Sequence, residues 1–75
     1  MHKPEIGING NLYWRNEKGE YHREDGPAFI YPNGGCIWYK NGKRHREDGP
    51  AVEYTEGYKA WYVHGKFVKD DYEQS

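Results

Sequence analysis

His22 and Asp25 stand three residues apart, and His45 and Asp48 repeat the arrangement. A histidine beside a carboxylate is the elementary acid–base pair, because imidazole titrates near pH 6.5 and a neighbouring carboxylate orients it. Read as chemistry, these residues describe a hydrolase built on His45 and Asp48. The context points elsewhere. Both pairs lie inside one heptapeptide, HREDGPA, which occurs at His22–Ala28 and again at His45–Ala51. A catalytic centre is a single asymmetric constellation with a nucleophile and an oxyanion stabiliser. This chain duplicates its polar set instead, and Thr55 and Ser75 are its only aliphatic hydroxyls. No residue is assigned a catalytic role.

Metal chemistry finds as little support. His2, His22, His45, His64 and Cys36 contain no pair at the short spacings of common zinc sites. Gly34-Gly35 has no following Lys-Thr or helix, so it is no phosphate loop. The expectation is no metal and no cofactor.

The elements that would carry these residues are repeated. Gly19, Gly42 and Gly65 recur every 23 residues, as do His22 and His45, while Trp14, Trp38 and Trp61 are spaced by 24 and then 23. The period divides the chain into units 9–32, 33–55 and 56–71, with flexible termini expected at 1–7 and 72–75. In the third unit Val68-Lys69-Asp70-Asp71 replaces His-Arg-Glu-Asp. A terminal repeat that departs from its pattern caps a stack.

Asn41-Gly42 between Trp38-Tyr39 and Lys43-Arg44 is a strong hairpin signal, because both central residues need φ > 0. His64-Gly65 holds the matching place. Pro32-Asn33-Gly34 and Thr55-Glu56-Gly57 read as return turns. Phe29–Tyr31 and Val52–Tyr54 read as strands whose first and third residues share an inner face. No stretch has helical periodicity. The predicted fold is all-β: one antiparallel meander of about six to eight short strands, built from three hairpin repeats, the last a degenerate cap. The whole chain, 1–75, forms one domain.

The repeat residues Trp14, Trp38, Trp61, His22, His45, Arg23, Arg46, Asp25, Asp48, Gly26 and Gly49 then have structural parts. The indoles form a ladder along the stack. Asp-Gly-Pro reverses the chain, with glycine supplying φ > 0 and aspartate accepting a local N–H. Arg23 and Arg46 cover an aromatic ring or pair with the aspartate of their own motif. Ala28 and Ala51 admit a neighbouring ring.

Composition sets the remaining bounds. The 75 residues are only 35% hydrophobic and 31% charged, but 17% are aromatic, with eight Tyr, three Trp and two Phe. Each buried ring removes roughly 150–250 Å² from water, enough for a thin aromatic core. A net charge of −1 provides no overall attraction for nucleic acid or an anionic bilayer. The lone Cys36 excludes an intrachain disulfide and fits a reducing, cytoplasmic location. No apolar run approaches the ~20 residues of a membrane span.

Trp38-Tyr39-Lys40-Asn41-Gly42-Lys43 and Tyr62-Val63-His64-Gly65-Lys66 resemble the hairpin core of MORN repeats. The joined pattern W-Y-x-N-G-K-x-H-R-E-D-G-P-A is similar to short repeat proteins of tailed bacteriophages, over residues 9–71. The resemblance implies an all-β sheet of hairpins with a non-enzymatic role. MORN arrays act as scaffolds, dimerisation modules and lipid-binding surfaces. This chain departs from them in its 23-residue unit and its HREDGPA segment. A small phage-type protein of this kind implies one protein target, a host or defence component bound or inhibited in the host cytoplasm.

The binding surface follows from strand parity. Trp38 and Tyr39, like Trp61 and Tyr62, point to opposite faces. With the indoles inside, Tyr39 and Tyr62 form a contact surface flanked by Lys40, Lys59 and Arg44; Tyr, Trp and Arg dominate binding hot spots. A homodimer through an open edge is a second outcome. The same aromatic and basic residues suit a single-stranded nucleic acid binder, against which the net charge argues. A self-assembling virion component is the remaining alternative.

Overall fold

The computed structural model describes residues 3–72. The described residues form nine strands and no helix: β1 (Glu5–Ile6), β2 (Leu12–Tyr13), β3 (Phe29–Ile30), β4 (Cys36–Ile37), β5 (Tyr39–Lys40), β6 (Lys43–Arg44), β7 (Val52–Glu53), β8 (Tyr58–Val63) and β9 (Lys66–Tyr72). Seven form one antiparallel sheet in the order β1-β2-β3-β4-β7-β8-β9, and β5 and β6 form a separate two-stranded sheet. The all-β meander is therefore present. It differs from a single sheet in that the chain turns out of the main ladder at Trp38, so that β5–β6 project as a hairpin.

Turn chemistry creates this pattern. Asn41 (φ 51°) with Gly42 (φ 81°), and His64 (φ 51°) with Gly65 (φ 80°), adopt the paired left-handed conformations of a type I′ hairpin. The return turns close through Gly34 N–H to Tyr31 C=O (2.9 Å) and Gly57 N–H to Tyr54 C=O (3.1 Å). In the first unit the extra residue is absorbed by Asn16, whose side-chain oxygen accepts the N–H groups of Lys18 (2.9 Å) and Glu20 (3.0 Å). The third unit lacks the HREDGPA bend. Its strands run longer, and β8–β9 pair over their full length with a bulge between Trp61 and Tyr62. Residues 5–6, expected within a loose terminus, instead pair with β2. Arg15 Nε donates to Glu5 Oε2 at 2.7 Å across that edge. Within the other expected loose terminus, Tyr72 belongs to β9, and residues 73–75 lie outside the described residues.

Ala28 and Ala51 are fully buried, and each lies in a backbone ladder between units. Trp14 N–H donates to Ala28 C=O (2.8 Å) while Ala28 N–H donates to Ile37 C=O (3.0 Å); Ala51 N–H donates to Ala60 C=O (2.8 Å). Ile37, Val52 and Ala60 form the buried aliphatic cluster, with Phe29, Tyr31, Tyr39, Tyr54, Tyr58 and Tyr62 packed on it. The expected grouping of Phe29 and Tyr31 with Val52 and Tyr54 is found. The molecule is only 17 Å across its thinnest direction, little more than one sheet with its side chains.

Candidate functional site

The indoles and the tyrosines point to opposite faces, and it is the tyrosine face that carries the aliphatic core. This reverses the expectation that the indoles lie inside and leave Tyr39 and Tyr62 as the outer surface. The physical reason is parity: Ile37, Val52 and Ala60 share the side of Tyr39, Tyr54 and Tyr62.

On the indole face every Trp is covered by a cation of its own unit. The Arg23 guanidinium lies 3.9 Å from the Trp14 ring centre and that of Arg46 lies 4.0 Å from Trp38, while Lys69 Nζ lies 4.6 Å from Trp61. Each arginine is held by its own motif. Arg23 Nε donates to Asp25 (3.2 Å) and Nη1 to Pro27 C=O (3.1 Å); Arg46 repeats both bonds with Asp48 (3.1 Å) and Pro50 C=O (3.1 Å). The aspartates thus serve the arginines.

Gly26 and Gly49 correct the sequence reading, since neither lies among the positive-φ residues. A Cβ at Gly26 would stand 2.9 Å from Arg23 Cζ, and one at Gly49 would stand 3.0 Å from Arg46 Cζ. Glycine is there because the guanidinium packs against the bare backbone on one side and covers the indole on the other.

The histidines tie units together. His22 Nδ1 accepts the Asn41 N–H and His45 Nδ1 accepts the His64 N–H, both at 2.9 Å. Each histidine therefore grips the tip of the next hairpin. Their Nε2 atoms face Glu24 (2.8 Å) and Glu47 (3.5 Å). His and Asp of one motif do not pair, and the two copies match. One juxtaposition escaped the sequence: donor atoms of His45, Glu47 and His64 lie within 4.8 Å of one another. Short-range spacing rules miss it because the two histidines come from neighbouring units.

The tyrosine face centres on Arg44. Its Nη1 donates to the Tyr62 phenol at 3.1 Å, and its guanidinium carbon stands 5.2 Å from that ring centre. Burial lowers the Arg44 pKa, but hydrogen bonds to Tyr39 and Tyr62 carry it above its ordinary value. Among the described residues Arg44 has no carboxylate partner, whereas Arg15, Arg23 and Arg46 all have one. Tyr31 and Tyr54 meet edge to face, 6.0 Å between ring centres, beyond Tyr39. Burial raises the Tyr31 pKa, helped by the Tyr54 phenol beside it.

The five candidate binding residues are therefore divided. Tyr39, Arg44 and Tyr62 come together. Lys40 borders an open cavity on the indole face with Trp38 and Arg46. Lys59 lies opposite Glu53, whose carboxylate reaches Arg46, so it too belongs to the indole face. A strand's two-residue period separates Lys40 from Tyr39 and Lys59 from Tyr58. Comparison of the chain with protein-family models, curated proteins and solved structures finds no match. The MORN-type likeness rests on the hairpin motif alone. No helix among the described residues is long and apolar enough to cross a membrane.

Proposed function

We propose that this chain is a non-enzymatic protein-binding module that engages its partner through the tyrosine face around Arg44. The observation that carries the reading is Arg44 itself. It is a half-buried guanidinium whose neighbours are neutral phenols, so its charge is left for an incoming carboxylate, with which arginine forms strong bidentate bonds. Tyr39 and Tyr62 surround it with rigid amphipathic rings. Tyrosine and arginine together are the commonest anchors of protein interfaces. The resemblance to phage repeat proteins directs the search for the partner to host proteins.

The division of faces weakens the nucleic acid reading, which needs lysines interleaved with stacking rings; Lys40 and Lys59 stand behind the sheet from Tyr39 and Tyr62. The matched geometry of both HREDGPA copies favours a structural role for them over catalysis.

The test compares host proteins captured by the wild-type chain, Arg44→Glu and Lys40→Glu, with folding of each verified by circular dichroism. One protein retained by wild type and Lys40→Glu, and lost with Arg44→Glu, supports the reading. Loss with Lys40→Glu alone moves the interface to the indole face and removes it. Fluorescence polarisation with short RNA and DNA should give a flat titration at low salt.

A further inference from the structure

We propose that His45, Glu47 and His64 form a site for one divalent transition-metal ion, with zinc as the reference ion. The site is independent of the tyrosine face. Two imidazoles and a carboxylate are a donor set suited to zinc, nickel and copper. His45 Nε2 and Glu47 Oε2 are 3.5 Å apart. The two imidazole rings are 4.5 Å apart between centres, with 35° between their planes. Zinc bonds of about 2.0–2.2 Å in a tetrahedron place neighbouring donors about 3.3–3.6 Å apart. One edge of that tetrahedron has its length already. Glu47 and His64 are exposed, so side-chain rotation can shorten the others, and water takes the fourth position.

The preceding interface is an internal control. There His22, Glu24 and Asn41 hold the equivalent positions, with Asn41 N–H donating to His22 Nδ1 as His64 N–H does to His45 Nδ1. The one difference in donor set is Asn41 in place of His64. Both residues adopt φ 51° in their turns, and asparagine serves this conformation well. The hairpin therefore does not require an imidazole at position 64.

Binding has a defined cost. Because His45 Nδ1 accepts the His64 N–H, the neutral ring carries its proton on Nε2. An ion on Nε2 displaces that proton; the metal-bound neutral ring is protonated on Nδ1, and the His64 N–H loses its acceptor. Lys40 and Arg46 border the same cavity as His45, and their charge also opposes a cation. Affinity is therefore weaker than at a dedicated structural zinc site, in the micromolar range, and occupancy shifts the 64–65 turn.

Zinc chloride titrated into the full chain, followed by calorimetry and by amide NMR, tests the site. The expected result is one ion per chain, with the His64 amide among the resonances that move. His64→Asn keeps the folded spectrum and weakens binding by about tenfold or more, as does Glu47→Gln. Asn41→His, which supplies the missing donor beside His22 and Glu24, raises the stoichiometry to two. The proposal is overturned by the absence of saturable binding up to millimolar zinc or by wild-type affinity in His64→Asn. A stoichiometry still at one in Asn41→His overturns it as well.

Discussion

At the scale of single residues, the recurring device is a guanidinium between an indole and a glycine. Cation–ring contacts of this kind contribute about 0.5–2 kcal/mol, and the fork to Asp48 and Pro50 fixes the geometry. Gly49→Ala places a methyl 3.0 Å from Arg46 Cζ. We expect it to lower stability by about 0.5–2 kcal/mol, the worth of the displaced contact. In an Arg46→Gln background the same substitution should cost far less, because no guanidinium remains to displace. A double-mutant cycle on thermal melts measures that coupling. Burial, assisted by the nearby Glu53 charge, raises the Cys36 pKa above its ordinary 9.0, and burial raises that of Tyr31 above 10.0. Both acids have a higher pKa folded than unfolded, so the fold favours their neutral forms. That contribution is complete below the unfolded values and is lost as pH rises through the folded ones. The melting temperature should therefore fall from pH 8.5 upward, and less steeply in Cys36→Ala. A profile identical in the two chains would remove Cys36 from the account.

At the scale of elements, two-residue strands cannot hold a sheet by themselves, and the connections do much of the holding. His22 and His45 fasten each bend to the tip of the next hairpin, and backbone bonds from Gly42 N–H to Tyr21 C=O (2.9 Å) and Gly65 N–H to Arg44 C=O (2.8 Å) continue the join. Replacing either histidine by alanine removes the protein acceptor of a turn N–H, at a cost of about 0.5–1.5 kcal/mol, the net worth of one hydrogen bond. His45→Ala should cost more than His22→Ala, because His45 is 9% exposed and also packs against the His64 ring. Chemical denaturation of the two variants checks the order, and equal losses would mean that the ring packing adds nothing. Much of this level was readable in advance. Asn41-Gly42 and His64-Gly65 announce their turns because few residue pairs accept two consecutive left-handed conformations. Glu53 beside Val52 announces which side of its strand is inward.

For the whole molecule, the consequence of thinness is modest stability. Among the described residues no large side chain is fully buried; the buried hydrophobic residues are Ala28, Ala51, Ala60, Val52 and Ile37. Small domains with little buried surface are marginal, and the denaturant dependence of their unfolding is shallow. We expect a urea m-value near the lower limit for small proteins, about 1 kcal/mol/M. Overpacking at a unit junction should be poorly tolerated: Ala51→Leu introduces a branched side chain where Ala51 is fully buried and should cost about 1–3 kcal/mol. A neutral Ala51→Leu in thermal melts would show that the units are not closely joined there.

The chain by itself determined the period, the hairpin turns and the β class, and it placed an aspartate within reach of Arg23 and Arg46, because each depends on residues close in sequence. Local backbone preferences and strand parity are enough to derive them. Only the tertiary structure decided that the indoles lie away from the core, why Gly26 and Gly49 are glycines, and that Arg44 has phenols for company while His45 meets His64. Those outcomes depend on what the next unit brings alongside each bend and hairpin. Contacts across a repeat junction are made by groups some twenty residues apart, and no rule of local spacing reaches that far.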